Sequence, residues 1–297
     1  MRKEDELVAR VVAWLDSRLG LSQTMLRPVP EYAVNPFYWI GSLAVVAFVI
    51  QGVTGMLMML YYVPSPVQAF QSTQYIFQQV SYGRFLESVH LYTAYAMIML
   101  AFMHMMHGYF VSAHKKPREM MWVIGMVMGF VTLGFGFTGY LLPWTVVSKS
   151  ATDVGIGMID ALPPQISWLL SFLIVGASGD ATELLRFYDL HVVVLPAALL
   201  VLLTVKMYML ECHGISEPAT GSGARGRLIP FFPDMSLYLM ELAAIFGSAM
   251  LLISVIFPLN LPPQYTPQLA AQYTPQPDWY FLWIYHLHKQ DGVGMQE

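Results

Sequence analysis

Residues 88–112 read SVHLYTAYAMIMLAFMHMMHGYFVS, a segment long and apolar enough to span a bilayer that nevertheless carries His90 and His104. In an α-helix fourteen residues advance about 21 Å and close to four turns, so the two imidazoles share one face at two depths. Ionisable groups at such depths are costly and are as a rule functional. A second apolar segment, residues 187–210, carries His191 and, fifteen residues later, Lys206. One facing residue from each of two helices, at two levels, is what axial ligation of two stacked haems requires, because haem iron accepts a neutral imidazole on either side. A lone membrane histidine serves about as often as a helix-to-helix hydrogen-bonding residue. Two in register opposite a near-register pair is a rarer pattern, and it favours the haem reading.

Composition agrees. Of 297 residues, 56% are hydrophobic and 11% charged, which places the chain among membrane proteins and makes its organisation a matter of counting helices. The single cysteine, Cys212, excludes an internal disulfide and any cysteine-built zinc or iron-sulfur site, so histidine must supply most ligands to a bound metal. A net charge of −4 implies no nucleic-acid partner. Residues 1–20 are charged and lack the apolar core of a secretory signal.

Along the chain, Val8, Val11, Val12, Leu15 and Leu19 recur at helical spacing against charged residues, which predicts an amphipathic helix on the membrane surface or against a partner subunit. The first span, about 35–62, contains Gly41 and Gly55, and the third, about 120–142, contains Gly125 and Gly139, again fourteen apart. Glycine weakens a helix, so it needs a reason. Small residues at helix crossings are one; admitting a flat macrocycle at two depths is another, and the recurring interval favours it. The cationic stretch 114–119, HKKPRE, together with the basic N-terminal segment, marks the cytoplasmic side. From Pro143 to Thr182 the chain lies on the opposite face, where residues 166–177 are too few to cross and read as interfacial helices. A fourth span starts near Phe187, a Gly-rich basic linker GSGARGR follows, and a fifth span, about 237–258, leads to the outer-face cluster Pro277-Asp278-Trp279-Tyr280-Phe281. The expected fold is an all-α membrane protein: a four-helix transmembrane bundle, a fifth transmembrane helix and interfacial helices. Its divisions are 1–30 (surface helix), 31–218 (bundle) and 219–297 (fifth helix and PDWY loop).

The His90/His104 pair, the paired glycines, KKPRE at 115–119, GFTGYLLPW at 136–144, RFYDLH at 186–191, GISEP at 214–218 and PDWYF at 277–281 together resemble cytochrome b, the core subunit of Rieske/cytochrome bc-type quinol-oxidising complexes. The likeness covers about residues 32–285, and is nearest to the short chloroplast-type form joined to the first helix of its companion subunit. The resemblance implies two haem b groups, the outer clamped by His90 and His191 and the inner by His104 and the matching position of the fourth helix, with Gly41, Gly55, Gly125 and Gly139 lining them. It implies that Asp278, in place of the family's glutamate, accepts a proton from quinol, with Tyr280, Pro277, Trp279 and the interfacial helix from Val146 to Ile159 shaping the pocket. It further implies a Rieske iron-sulfur partner, a c-type cytochrome or equivalent acceptor subunit, a homodimer of complexes, surrounding lipid, and a second polypeptide supplying further C-terminal helices. The setting is a prokaryotic cytoplasmic membrane, with the N-terminus cytoplasmic and the C-terminus on the outer face. Relatives that use lower-potential quinones carry an aspartate at this position, so the resemblance implies menaquinol.

Besides Asp278, the chain departs from the family at three positions. The alignment puts Lys206 where the fourth axial histidine is expected. His213 lies twenty-two residues past His191, about 33 Å along a helix and too deep, and Met209 sits about 5 Å past Lys206. A lysine amine binds iron only when neutral, a form that apolar surroundings favour. Lys206 is therefore either the fourth ligand or a cation bonded to a haem propionate or to quinone. Trp39 replaces the cysteine that anchors an additional covalent haem in chloroplast-type proteins, so none is expected by that linkage, and Leu91 replaces an arginine usual after the first histidine. The leading expectation is thus an electron-transfer enzyme subunit that oxidises quinol outside, reduces quinone inside and translocates protons. The alternative is a di-haem anchor relaying electrons to a bound dehydrogenase or reductase, which has no need of the outer carboxylate; a transporter or channel would bind no haem.

Overall fold

In a computed structural model of the chain the described residues are 10, 11, 13–18, 20, 28–172, 181–216, 227–274 and 276–290. Among the described residues, five helices are long and apolar enough to cross a membrane: Pro36–Met59, Gly83–Phe110, Glu119–Leu141, Glu183–His213 and Phe231–Ile256. In chain order the elements are strand β1 (Pro28–Pro30), helix α1 (Ile40–Met59), the short α2 (Ala69–Gln78), α3 (Gly83–Phe110), α4 (Glu119–Leu141), α5 (Val146–Asp160), α6 (Pro164–Leu170), α7 (Ala181–Asp189), α8 (Leu195–His213), strand β2 (Leu228–Pro230), α9 (Ser236–Ile256), α10 (Pro267–Ala270) and α11 (Leu282–Gln290). Of the N-terminal amphipathic helix, residues 10, 11 and 13–18 are described and helical, and the rest lie outside the described residues, as do residues 221–226 of the linker and 173–180 of the interfacial region.

The spanning helices are apolar on all sides, as lipid-facing helices must be, since every backbone polar group is paired within the helix and the solvent outside is hydrocarbon. Val49, Val53, Phe130, Val201, Val205, Leu252 and Val255 are accordingly exposed on the outside of the bundle. Helix α1 packs chiefly on α3, α4 on α3 and α8, and α9 leans on α1 and α3. The centre of the bundle is closed by Ala47, Met97 and Leu199, with Phe48, Met128, Val131, Phe135 and Phe246 packed around them. Met97 lies seven residues from both His90 and His104, so this plug sits midway between the two histidine levels.

Each end of the bundle is tied by different chemistry. At the end carrying residues 114–119, the basic end, β1 and β2 pair antiparallel, Pro28 opposite Pro230. There Arg118 donates to the carbonyls of His213 (3.0 Å) and Ile215 (3.3 Å), capping the C-terminus of α8 with a cation where the helix dipole is negative. This ties KKPRE to GISEP. At the opposite end, the loop end, Ala69, Leu141, Trp144, Leu184 and Phe187 form a second core beneath α5, with the partly buried Tyr62 packed against it. Trp144 turns the chain out of α4 with φ 51. Its carbonyl accepts from Tyr265 N–H at 3.1 Å, and Val146 N–H donates to the Pro263 carbonyl at 2.9 Å, so the segment after α9 stitches the start of α5 in place. A capping box starts α5: Thr145 Oγ1 accepts from Ser148 N–H at 3.1 Å, and Ser148 Oγ accepts from Thr145 N–H at 2.9 Å.

The fourth span is not a uniform α-helix. At Leu190–Val194 it widens into a π-turn, closed by Leu195 N–H donating to the Leu190 carbonyl five residues back. Pro196 follows; having no N–H, it cannot donate to the carbonyl four residues before it, which loosens the α-ladder at this point. His191 sits in the wide turn.

Candidate functional site

Helix α3 and the fourth span present their candidate ligands to each other across the bundle. The rings of His90 and His191 have centroids 6.3 Å apart with planes inclined at 63°. Two imidazole nitrogens on either side of one metal, each about 2 Å from it, place ring centroids roughly 6 Å apart, so this pair would have room for a single metal ion between its rings. Among the described residues there is no cluster of three or more His, Cys, Asp or Glu able to hold a metal ion. A metal here must bring its own equatorial ligands, as haem iron does.

Each histidine of this pair is fixed by a threonine of a neighbouring helix. Thr54 donates its hydroxyl to the Ile50 carbonyl at 2.7 Å and lies 2.7 Å from His90 Nδ1. A hydroxyl already donating must accept from the ring, which puts the His90 proton on Nδ1 and leaves Nε2 bare. Thr138 repeats the arrangement, donating to the Gly134 carbonyl at 2.8 Å with His191 Nδ1 at 3.2 Å. Such outer contacts orient a ligand and raise its basicity. Gln51 Nε2 also donates to the His90 carbonyl, at 2.5 Å.

Nearer the basic end, His104 and Lys206 are close enough to interact. His104 Nδ1 is buried with no hydrogen-bond partner. No threonine serves this level, where Ile40 and Ile124 occupy the positions that Thr54 and Thr138 hold at the other.

The four glycines mark the four ligand positions one by one. A β-carbon at Gly41 would lie 2.8 Å from His104 Cε1, one at Gly55 3.4 Å from His90 Cε1, one at Gly125 2.9 Å from Lys206 Nζ and one at Gly139 2.6 Å from His191 Cε1. Their fourteen-residue interval therefore makes room for the facing side chains of the neighbouring helix, where sequence reasoning had them admit the macrocycle itself. Lys206 meets Gly125 as His104 meets Gly41, so the lysine occupies the fourth position of the set although it lies fifteen residues from His191, not fourteen. The π-turn accounts for this: its wider turn absorbs one residue, and fifteen residues carry the helical phase of fourteen. The glycine cradles and the two facing pairs, His90 with His191 and His104 with Lys206, fit a haem at each level.

The loop end holds a second group. Asp278 Oδ1 accepts from Tyr95 OH at 3.0 Å and Oδ2 from Tyr280 OH at 3.2 Å. Burial holds the Asp278 carboxyl above the usual aspartate range, while the two phenol hydrogen bonds pull it back towards ionisation. The Tyr280 phenol is pushed up by its own burial and by the carboxyl beside it. Tyr280 is 4% exposed. Its ring fits against α4 because residue 136 is glycine; a β-carbon there would lie 2.9 Å from the ring. Trp279 is 42% exposed and edge-on to Tyr280 at 5.4 Å. Phe281 packs on Phe137 at 6.1 Å, and Phe137 in turn fills the space left by Gly155 of α5.

The structure thus brings Asp278, Trp279 and Tyr280 together beside α3 and α4. Val146 is buried where α5 meets the loop through Pro263, and Ile159, thirteen residues or about 20 Å further along α5, marks its other end; neither joins the hydrogen-bonded group around Asp278. Pro277 is half-buried at the start of the motif. Sequence reasoning missed Thr54, Thr138, Gly136 and Tyr95. The dipeptides Thr54-Gly55 and Thr138-Gly139 repeat in two helices and were a usable signal; Tyr95 had none, since its partner is 183 residues away.

A family model described as cytochrome b/b6/petB matches residues 25–214. The chain is 33% identical over 287 residues to the cytochrome bc complex cytochrome b subunit of Chlorobaculum thiosulfatiphilum, an alignment covering 94% of this chain and 67% of that protein. It is 38% identical over 210 residues to cytochrome b6 of Heliobacterium mobile, covering 69% of this chain and 99% of that protein. A solved chain of a hyperthermophilic respiratory Complex III superposes with a TM-score of 0.78 at 27% identity, covering 95% of this chain and 77% of that one.

Proposed function

The chain belongs to the cytochrome b/b6 family, and from that premise we propose that it oxidises quinol beside Asp278 at the loop end and passes electrons to the basic end through two b haems held between α3 and the fourth span. It is an integral membrane protein, the haem-binding cytochrome b subunit of a bc/b6f-type electron-transfer complex.

What carries the reading is the two-level arrangement of ligands: His90 opposite His191 at 6.3 Å, and His104 opposite Lys206, every one of the four seated against a glycine. Haem bound at both levels would supply one-electron transfer across the apolar core. His90 and His191 present bare Nε2 atoms because Thr54 and Thr138 take their Nδ1 protons. His104 and Lys206 would hold the haem at the other level, Lys206 as the neutral amine.

Asp278 acts as the proton acceptor. An ionised carboxylate has about four acceptor positions; the two phenols occupy one on each oxygen, which leaves others for a quinol hydroxyl. The exposed face of Trp279 offers an apolar wall to the quinol ring. Release of that proton on the loop side and uptake by quinone at the basic end would build proton-motive force, with the basic end cytoplasmic in a prokaryotic membrane. A Rieske-type iron-sulfur protein takes the first electron, a c-type cytochrome or equivalent lies beyond it, the complex is a homodimer, and menaquinol is the substrate.

The test is made on the purified complex. Reduced-minus-oxidised spectra are expected to give two b haems per chain, and Asp278→Asn to keep both while losing quinol-driven haem reduction. A single haem, or an unimpaired asparagine variant, overturns the proposal.

A further inference from the structure

Helix α3 has a second working face besides the one carrying the histidines. Arg84 donates from Nε to the Leu259 carbonyl at 2.6 Å and from Nη2 to Asn260 Oδ1 at 2.7 Å. Ser88 Oγ accepts from Leu259 N–H at 3.0 Å, and Tyr92 OH donates to the Phe257 carbonyl at 2.7 Å. Residues 84, 88 and 92 are one α-helical turn apart, so they form a stripe along which the segment leaving α9 is fastened. Tyr95 continues that stripe one turn further into the membrane. It lies five residues past His90, about 7.5 Å deeper and roughly 140° round the helix, and so points away from the ligand gap. Its hydroxyl reaches Asp278, and its ring packs against Trp279 at 6.4 Å and Tyr280 at 6.2 Å.

We propose that Tyr95 is a positioning residue for the Asp278 base: it aims the carboxylate by holding Oδ1, and its hydrogen bond favours the ionised form that takes the quinol proton. The proposal rests on the proton-acceptor reading of Asp278 above. Tyr280, the other donor, belongs to the same short loop as the carboxyl, and Tyr140 of α4 is the further titratable group that faces it; Tyr95 is the donor that belongs to the membrane helix and fixes the carboxylate relative to the haem ligands. In the proton transfer the quinol O–H bond breaks and an O–H bond forms on Asp278, while Tyr95 keeps its own proton and only donates. The carboxyl is buried, which raises its affinity for protons, and the phenol donors oppose that effect. Loss of the Tyr95 hydroxyl therefore leaves Asp278 protonated to higher pH.

The experiment uses membranes containing the whole complex and follows reduction of the b haems by a short-chain naphthoquinol across pH, for the parent, Tyr95→Phe, Tyr95→Leu and Asp278→Asn. Tyr95→Phe keeps the ring contacts with Trp279 and Tyr280 and loses only the donor. The expected result is an acid limb moved up by about one pH unit, the value of a hydrogen bond to a charged group, with the alkaline plateau lowered by the lost aim, but less than in Tyr95→Leu, and with the quinol KM and the haem spectra retained. Tyr95→Leu, which also loses the ring, is expected to lower the plateau as well. A Tyr95→Phe profile that superimposes on the parent overturns the proposal, and so does a uniform loss at every pH, which would mark Tyr95 as a packing residue. If Asp278→Asn itself retains the parent rate and profile, the base reading falls; if the asparagine variant is inactive and Tyr95→Phe is indistinguishable from the parent, only the role of Tyr95 falls.

Discussion

Replacing Gly139 by alanine tests the ligand arrangement most directly, because the space involved is stated by the structure. The added methyl would lie 2.6 Å from His191 Cε1, 3.0 Å from Nδ1 and 3.2 Å from Nε2. Ordinary contact starts at 3.4 Å, so the shortfall at Cε1 is 3.4 − 2.6 = 0.8 Å. The ring has little room to yield: Thr138 holds Nδ1 at 3.2 Å, and Phe135 packs edge-on at 5.6 Å. Overpacking of this kind costs about 1–3 kcal/mol, against which alanine returns about 1 kcal/mol of helix propensity. If the net cost, up to about 2 kcal/mol, falls on ligand placement, haem affinity at that level drops by as much as about thirtyfold. Two further alanines calibrate the result. At Gly55 the methyl sits 3.4 Å from His90, ordinary contact, and at Gly52 it meets nothing within 4 Å. The assay is the haem-to-protein ratio from reduced-minus-oxidised spectra, before and after incubation with excess competing apoprotein. The expected order of haem retention is Gly52→Ala, then Gly55→Ala, then Gly139→Ala, with the loss confined to one of two haems. A Gly139→Ala protein that holds both haems as firmly as Gly52→Ala would refute the reasoning.

Lys206→Ala is expected to remove the low-spin signature of one haem and leave the other intact in electron paramagnetic resonance; an unchanged low-spin spectrum for both would show that Lys206 is not a ligand. Thr54→Val keeps the shape but removes the acceptor of the His90 Nδ1 proton, so one haem should be lost to competing apoprotein about ten- to a hundredfold more readily, as is usual for outer contacts to a ligating histidine; equal loss from both levels would contradict it. Quinol oxidation should fall off on the acid side at a pH above that of an ordinary aspartate, about 4, because burial raises the Asp278 carboxyl and its protonated form cannot take the quinol proton; a pH–rate profile flat down to that value would exclude a buried carboxylate base.

Much of the architecture was readable along the chain. The five spans follow from unbroken apolar stretches, and the boundaries expected from sequence lie within a few residues of those observed, the fourth and fifth helices beginning earlier, at Glu183 and Phe231. Pairing of the four glycines with the four ligand positions was implicit in the shared interval of fourteen, though not which group each would meet. What the residues by themselves determined is whatever depends on near neighbours: apolar length, helical phase and the two depths of His90 and His104, all consequences of a hydrogen-bonding ladder that repeats every four residues.

Tertiary structure decided the rest. The fifteen-residue step from His191 to Lys206 comes into register only because the fourth span widens at Leu190–Val194 where Pro196 withholds a donor. Tyr95 finds Asp278 across 183 residues because α3 fastens the segment after α9 rung by rung from Arg84 to Tyr92. The threonines act on histidines 36 and 53 residues away. Contacts of this kind are set by which helix faces meet when the apolar core closes around Ala47, Met97 and Leu199, and no local periodicity encodes that choice.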